Sequence, residues 1–409
     1  MEDDMTIKNR DVLISGASVA GPTLAYWLVR HGFRPVVVER AAGPREGGYP
    51  IDVIDPATEV ARRMGVLPRV RQAAVETRAL SFVDRSGRSR ARVPTGSFAT
   101  RGVELPRGDL VRILYEATAD DVEYVFGDSV ATLEQDGDGV DVTFERGGAR
   151  RFDLVIGADG LHSLTRSLAI GEEGRFLRHL GHYVAAADVS KDMGVDGEVV
   201  LYNEPGRMAG VYSYLDRATA IFVFRHPELE GGGRRDAALH RRVLREAFAG
   251  DGWRVPELLE QVTAAPDFYF DSVSQIRMDR WSAGRVSLAG DAAHCPALLS
   301  GHGTTLAMVG AYVLAGELHA AGGEHRAAFA RYQERHRRAV ERGQARVAEG
   351  AGRLVPGSAS AIRTRDLLSR FWMLPAVASR LGSLLPRRTP VLDDYGSGVP
   401  AAPPAARPS

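Results

Sequence analysis

Residues 11–40 read DVLISGASVAGPTLAYWLVRHGFRPVVVER. They hold an apolar strand from Val12 to Ser15, a glycine turn, an amphipathic helix from Pro22 to His31, and a second apolar strand from Pro35 to Val38 that ends in Glu39. The apolar period switches from strand to helix and back, which makes one βαβ unit. In the turn, Gly16 and Gly21 take the first and third places of a G-x-G-x-x-G fingerprint, and Ser18 takes the middle one. Glu39 follows Gly16 by 23 positions, the distance at which an acidic side chain reaches a ribose hydroxyl. The implied ligand is a dinucleotide, with its pyrophosphate over the helix N-terminus and its ribose near Glu39 and Arg40. The middle glycine normally permits the closest backbone approach, so Ser18 is a departure; it fits if the phosphate sits slightly farther out, where its hydroxyl can donate. Alone, the turn also reads as a tight packing corner.

A second stretch weighs against that bland reading. Residues 285–306, RVSLAGDAAHCPALLSGHGTTL, run from an apolar strand into Gly290 and Asp291, then reach a second glycine turn at Gly301 and Gly303. An aspartate placed after a buried strand and a glycine can hold a ribityl or ribose hydroxyl, while the next helix turns its first amides toward a phosphate or an electron-rich ring. The competing reading is Asp291 as a helix N-cap.

Composition narrows the class. A chain of 409 residues, 44% hydrophobic and 25% charged, can bury two sizeable cores. Lys+Arg and Asp+Glu number 52 each, so no net field favours nucleic acid or an anionic membrane. The single cysteine, Cys295, rules out an internal disulfide and suggests a reducing, cytoplasmic setting, where it reads as a small residue packed under a cofactor. No signal peptide and no apolar run of about 20 residues is expected, so no stable membrane association follows. The histidines are scattered, and the closest pair, His179 and His182, lacks ligand partners at metal spacing.

Along the chain, residues 56–74 have helical spacing with a stop at Gly65, and 79–93 read as a hairpin. Leu105–Thr118 read as a helix, and Val122–Phe126, Val130–Glu134 and Val140–Glu145 as a meander. The buried strand Leu154–Ile156 then leads to the turn Gly157-Ala158-Asp159-Gly160. Strand-like runs occupy 183–225, a helical stretch 236–249, and long helices Thr304–Ala321, Glu324–Arg353 and Ser360–Leu385 fill the last third. Tyr202, Tyr212, Tyr214, Phe222 and Phe224 alternate as pocket-lining residues would, and equally as ordinary sheet core.

The three glycine–acid turns, in this order, resemble the class A flavoprotein monooxygenases of the para-hydroxybenzoate hydroxylase-like group, and within it the tetracycline-inactivating enzymes. GASVAG with Glu39, DLVIGADGLHSLTR from Asp153 to Arg166, and GDAAHCPALLSGHGTTL carry the resemblance, which spans roughly residues 10–385. It implies an α/β fold: a Rossmann-like FAD-binding domain (9–76, 104–176 and 276–330), an inserted mixed β-sheet substrate domain (77–103 and 177–275), C-terminal helices (331–386) and a flexible tail (387–409).

The same resemblance implies site residues. Arg107 in LPRGDL would contact the flavin side of FAD, and Asp52 in GGYPIDV would lie on a loop near the isoalloxazine. Asp159 would serve FAD and NADPH, Asp291 would hold the ribityl chain, and the segment after Pro296, through Gly301 and Gly303, would lie beside the ring. Arg45 falls near an arginine linked to NADPH. Two places depart from the pattern: His302 replaces a usual glutamine, and Val309-Gly310 a common aspartate. The implied reaction uses NADPH or NADH to reduce FAD; O₂ adds at C4a, and the hydroperoxide passes one oxygen to an electron-rich aromatic or polyketide-like small molecule, as in antibiotic modification or secondary metabolism. With only one nucleotide fold visible, the nicotinamide cofactor would bind transiently, to a monomer or homodimer. No residue declares itself as a catalytic base. A reductase or dehydrogenase of the same fold, a non-catalytic flavin-binding protein and a nicotinamide-only dehydrogenase are the competing readings.

Overall fold

The computed structural model describes residues 7–44, 48–94, 102–229, 236–371 and 392–396. The βαβ unit forms as read: Asp11–Ser15, helix Ala20–Arg30, then Arg34–Glu39. These strands lie at the centre of a six-stranded sheet ordered Ser282–Ala283, Val286–Leu288, Leu154–Gly157, Asp11–Ser15, Arg34–Glu39 and Glu123–Phe126. All neighbours are parallel except the first pair. Parallel strands covered on both faces are apolar throughout, and Val12, Leu13 and Ile14 are each 0% exposed. One face is covered by the helices Ala20–Arg30 and Gly303–Ala320, which share a core with Leu24, Leu28, Met308 and Leu314. The other carries the three-stranded sheet Val130–Gln135, Val140–Phe144 and Ala149–Phe152, whose Val140, Val142 and Phe144 pack on Leu13, Val36 and Val155.

The second body is a seven-stranded mixed sheet, ordered Tyr269–Ile276, Leu177–Val189, Arg217–Arg225, Arg207–Tyr214, Glu198–Glu204, Ala79–Val83 and Ser89–Pro94. Among the described residues its one parallel pair is Glu198–Glu204 with Ala79–Val83. One of its faces is covered by the helices Ala237–Ala247 and Val255–Ala264. A two-stranded pair, Pro50–Ile54 with Gly102–Pro106, stands between the bodies.

Several expectations need correction. Val122–Phe126 is not part of a meander, because Glu123–Phe126 extends the parallel sheet beside Arg34–Glu39; a period of two marks a strand without naming its sheet. Leu105 does not start a helix. A residue before proline is pushed toward extended backbone, so the strand runs through Pro106, which caps the helix Arg107–Glu116. The run 324–353 is two helices, His325–Ala345 and Val347–Leu354. The first of these, placed with the C-terminal helices from residue 331, shares the core of the first body through Phe329, Tyr332 and Val340.

The tail is not uniformly free. Residues 392–396 dock on the first body, where the Asp393 carbonyl accepts from Tyr312 Oη at 2.7 Å and Tyr395 Oη donates to Glu317 Oε1 at 2.8 Å. A tyrosine that donates to this buried carboxylate and an aspartate that takes Tyr312 and Arg335 outweigh the low-complexity composition around them. Ser360–Leu385 is described only as the helix Ala359–Phe371.

Candidate active site

The carboxyl ends of the parallel strands, where ligands of open α/β sheets bind, bring the three glycine–acid turns together. Gly16 has φ +110, and a Cβ there would meet the Ala158 carbonyl oxygen at 2.5 Å. A Cβ on Gly21 would stand 1.9 Å from the Gly16 carbonyl oxygen. The first turn is therefore closed onto itself and onto the Ala158-Asp159 turn, which leaves no room for side chains. The helix that follows has no side-chain cap at its start, so its first amides are open to an anionic ligand. The third turn abuts the same helix: Gly290 has φ +60, and its Cβ would lie 3.0 Å from that of Ala20.

A cavity of about 260 Å³ opens beside these turns, between the two bodies. Seven of the residues singled out from sequence line it: Ser18, Asp52, Arg107, Asp291, Pro296, Gly301 and Gly303. Arg107 Nη2 donates to Ser18 Oγ at 3.2 Å, tying the fingerprint serine to the arginine. Burial pushes the Asp291 carboxyl up, opposed by the Arg107 charge and a hydrogen bond from the Cys295 thiol. Cys295 is buried under the cavity, and its thiol is pushed well up by burial and then by Asp291. A burial-raised thiol next to a carboxyl is inert.

Gly16, Gly21, Glu39, Arg40, Asp159 and Gly290 are not on the cavity wall. Glu39 closes the βαβ corner instead, its Oε2 accepting from Ala17 N at 2.8 Å and its Oε1 from Ala41 N at 2.9 Å. Each oxygen keeps a second lone pair for a hydroxyl. Arg40 is exposed beside it. The Asp159 carboxylate turns into its own motif: Oδ2 accepts from Thr165 N and Thr165 Oγ1, both at 2.9 Å, and Oδ1 from Ser163 Oγ. That leaves its neighbours Ala158 and Gly160 to face the cavity. Arg166, fully buried, donates to the Leu161 carbonyl at 2.8 Å and the Ala292 carbonyl at 3.0 Å, bracing the second turn against the third. Arg45 lies outside the described residues.

Of the two readings of the alternating aromatics, sheet core holds, and the roof is made by other residues. Tyr202, Tyr214, Phe222 and Phe224 are buried in the sheet core, and with Tyr212 none of the five lines the cavity. The wall is built by Val184 and by Tyr269, Asp271, Ser272 and Ser274 on the edge strand Tyr269–Ile276. Asp271 holds His162 at 3.1 Å through Nε2, while Glu173 takes Nδ1 at 3.0 Å. Burial would lower this imidazole, but the hydrogen bonds it donates to both carboxylates win and raise it to about 9. Sequence reasoning missed this bridge; the signal for it, a histidine inside an Asp-Gly motif and an acid in a distant strand, becomes visible only once the strands are paired. Among the described residues no group of His, Cys, Asp and Glu could hold a metal, and no helix is long and apolar enough to cross a membrane.

The cradle suits FAD: turns too tight for a Cβ, an uncapped helix start, an arginine and a buried aspartate on one wall. Residues 9–346 match the FAD binding domain family. The chain belongs to the FAD-dependent monooxygenases. It is 38% identical over 321 residues to a flavin-dependent monooxygenase of Legionella longbeachae, covering 77% of this chain and 82% of that protein. An uncharacterized protein of Mycobacterium tuberculosis is 48% identical over 320 residues, covering 76% and 86%. The crystal structure of the tetracycline destructase Tet(55) superposes with a TM-score of 0.78 at 36% identity, covering 89% of this chain and 96% of that one. The class A monooxygenase fold read from the three turns is thus the fold of the chain.

Proposed function

We propose that this monooxygenase uses NADPH or NADH to oxygenate a bulky aromatic or polyketide-like small molecule. The observation that carries the reading is the convergence of Ser18, Arg107, Asp52 and Asp291 on one cavity whose far wall belongs to a different sheet. When bound, FAD supplies electron transfer from the nicotinamide and activation of O₂.

The chain's own residues supply the rest. In this reading the open amides at the start of helix Ala20–Arg30 take the pyrophosphate, Glu39 the adenosine ribose with Arg40 beside it, and Asp291 the ribityl hydroxyls. Gly16, Gly21 and Gly290 let the backbone come close, and Arg107 and Asp52 border the ring with Pro296, Gly301 and Gly303. Asp159 keeps the second turn in shape, and Arg45 is assigned to the nicotinamide cofactor's phosphates. Val184, Ala297 and Leu298 keep water from the reacting centre. The likeness to a tetracycline destructase supports a polycyclic, phenolic substrate class. The test is a screen of aromatic compounds for stimulated NADPH oxidation, with mass spectrometry for a gain of one oxygen. NADPH oxidation without an oxygenated product would favour a reductase, and none with any compound would overturn the reading.

A further inference from the structure

Asp52 and Glu104 stand directly opposite each other on the antiparallel pair Pro50–Ile54 and Gly102–Pro106. Side chains in that relation share a face, with Cβ atoms about 4.5–5.5 Å apart. Asp52 lines the cavity, and Glu104 sits half-buried behind it. Their surroundings differ. Glu104 Oε2 accepts from the Thr77 hydroxyl at 2.7 Å. The phenol of Tyr212, on the strand Arg207–Tyr214 of the inserted sheet, also faces Glu104 and favours its charged form. The Asp52 carboxyl accepts no hydrogen bond among the described residues; the charge facing it, besides Glu104, is that of His302.

We propose that Asp52 and Glu104 form a proton-sharing carboxyl pair, in which Thr77 and Tyr212 hold Glu104 ionised and Asp52 carries the shared proton at the cavity wall.

Two carboxyls this close resist ionising together, so the pair keeps a proton where a lone acid would lose it. Burial pushes the Glu104 carboxyl up and the Asp52 charge pushes it further; the Asp52 carboxyl, open to the cavity at its outer side, is also pushed up by the protein packed around it. Hydrogen bonds donated to a carboxylate favour its charged form, and both donors serve Glu104. The proton therefore rests on Asp52, against a smaller opposing effect from His302. The phenol of Tyr212 is raised by burial and then by both acids, so it stays a donor.

A neutral acid at this wall is an O–H donor aimed into the cavity. Resting on the FAD reading above, its acceptor is a carbonyl or nitrogen of the flavin ring, where a fixed donor favours the build-up of negative charge. Glu104 touches neither ring nor substrate. It is a positioning residue that acts through Asp52, and Tyr212 links its state to the sheet that roofs the cavity.

The test is infrared titration of protonated carboxyl groups in the full-length protein, with and without added FAD, for wild type, Asp52→Asn, Glu104→Gln and Tyr212→Phe. Wild type is expected to keep a protonated-carboxyl band above the ordinary aspartate range, and Asp52→Asn to lose a clear part of it, the remainder belonging to other buried acids such as Asp291. Glu104→Gln keeps the shape and an acceptor for both donors but removes the charge, so the band should titrate away about one pH unit lower or more. Tyr212→Phe takes a donor from Glu104 and should shrink the Asp52 band. Identical wild-type and Asp52→Asn spectra above the ordinary aspartate range would overturn the proposal, as would an unmoved midpoint in Glu104→Gln. The band in flavin-free protein tests the pair alone; failure to bind FAD while the band persists counts only against the cofactor reading.

Discussion

Gly21, in the first turn of the helix Ala20–Arg30, and Gly210, inside the strand Arg207–Tyr214 of the second body, differ in the kind of space around them. A Cβ on Gly21 meets backbone, the Gly16 carbonyl oxygen at 1.9 Å; one on Gly210 meets a flexible side chain, Leu201 Cδ2 at 2.4 Å. The first body is a set of fixed corners whose geometry cannot give, and the second is a packed sheet that can repack. The contacts proposed for the cofactor sit on the rigid one. The pliant one lends an edge strand, Tyr269–Ile276, as a wall.

The sharpest way to break this contrast is Gly21→Ala against Gly210→Ala. Gly21→Ala should cost more than about 3 kcal/mol and abolish flavin binding, because the strain falls on backbone that cannot rotate away. Gly210→Ala should cost about 1–3 kcal/mol, as an overpacked core does, and keep its flavin. Thermal melts and flavin content measured together would decide, and equal losses in the two variants would remove the distinction.

Asp291→Ala follows in size. Deleting a charge-assisted partner of a cofactor hydroxyl should lower FAD affinity about tenfold or more with the fold retained. Glu39→Ala should lose less than Asp291→Ala at the binding step and more in stability, because its carboxylate also ties Ala17 to Ala41. Flavin titration alongside melting would separate the two.

A third comparison uses pH, since one ion bridge joins the bodies. His162 is raised to about 9 by Asp271 and Glu173. A histidine raised above its unfolded value contributes stability that is fully present below about pH 6.5 and is lost as pH rises through about 9. The urea midpoint of the wild type should therefore fall between about pH 7 and pH 10, and that fall should be weaker in His162→Gln. Parallel profiles in the two proteins would show that the bridge does not hold the roof to the second turn.

The smallest effect is expected at Ser18. Ser18→Gly restores the usual middle glycine but deprives Arg107 Nη2 of its 3.2 Å acceptor. FAD affinity should stay within about a factor of ten. Complete loss of flavin would make the serine hydroxyl a required ligand.

The same contrast explains what the sequence disclosed. Gly16, Gly21, Asp159, Gly290 and Asp291 were legible because tight corners demand particular residues at fixed spacings, and seven of the residues singled out meet at one cavity. The roof was not, because Tyr202, Phe222 and Phe224 look the same in a core as in a pocket wall, and only pairing assigns them to the core. Strand Glu123–Phe126 went to the wrong sheet for that reason, and Asp271 was invisible until Tyr269–Ile276 paired with Leu177–Val189. The dock of Asp393 and Tyr395 was hidden by a proline- and alanine-rich neighbourhood, and because the buried Glu317 that Tyr395 reaches, in the last turn of an apolar helix, also pairs with Arg331 and Arg335.

The most direct measurement is a crystal structure of the protein loaded with FAD. The account predicts adenosine beside Glu39, pyrophosphate over the start of helix Ala20–Arg30, ribityl hydroxyls on Asp291, and the ring in the cavity between Asp52 and the wall of Tyr269, Asp271 and Ser274. A flavin ring bound outside that cavity, or ribityl hydroxyls with no contact to Asp291, would contradict it.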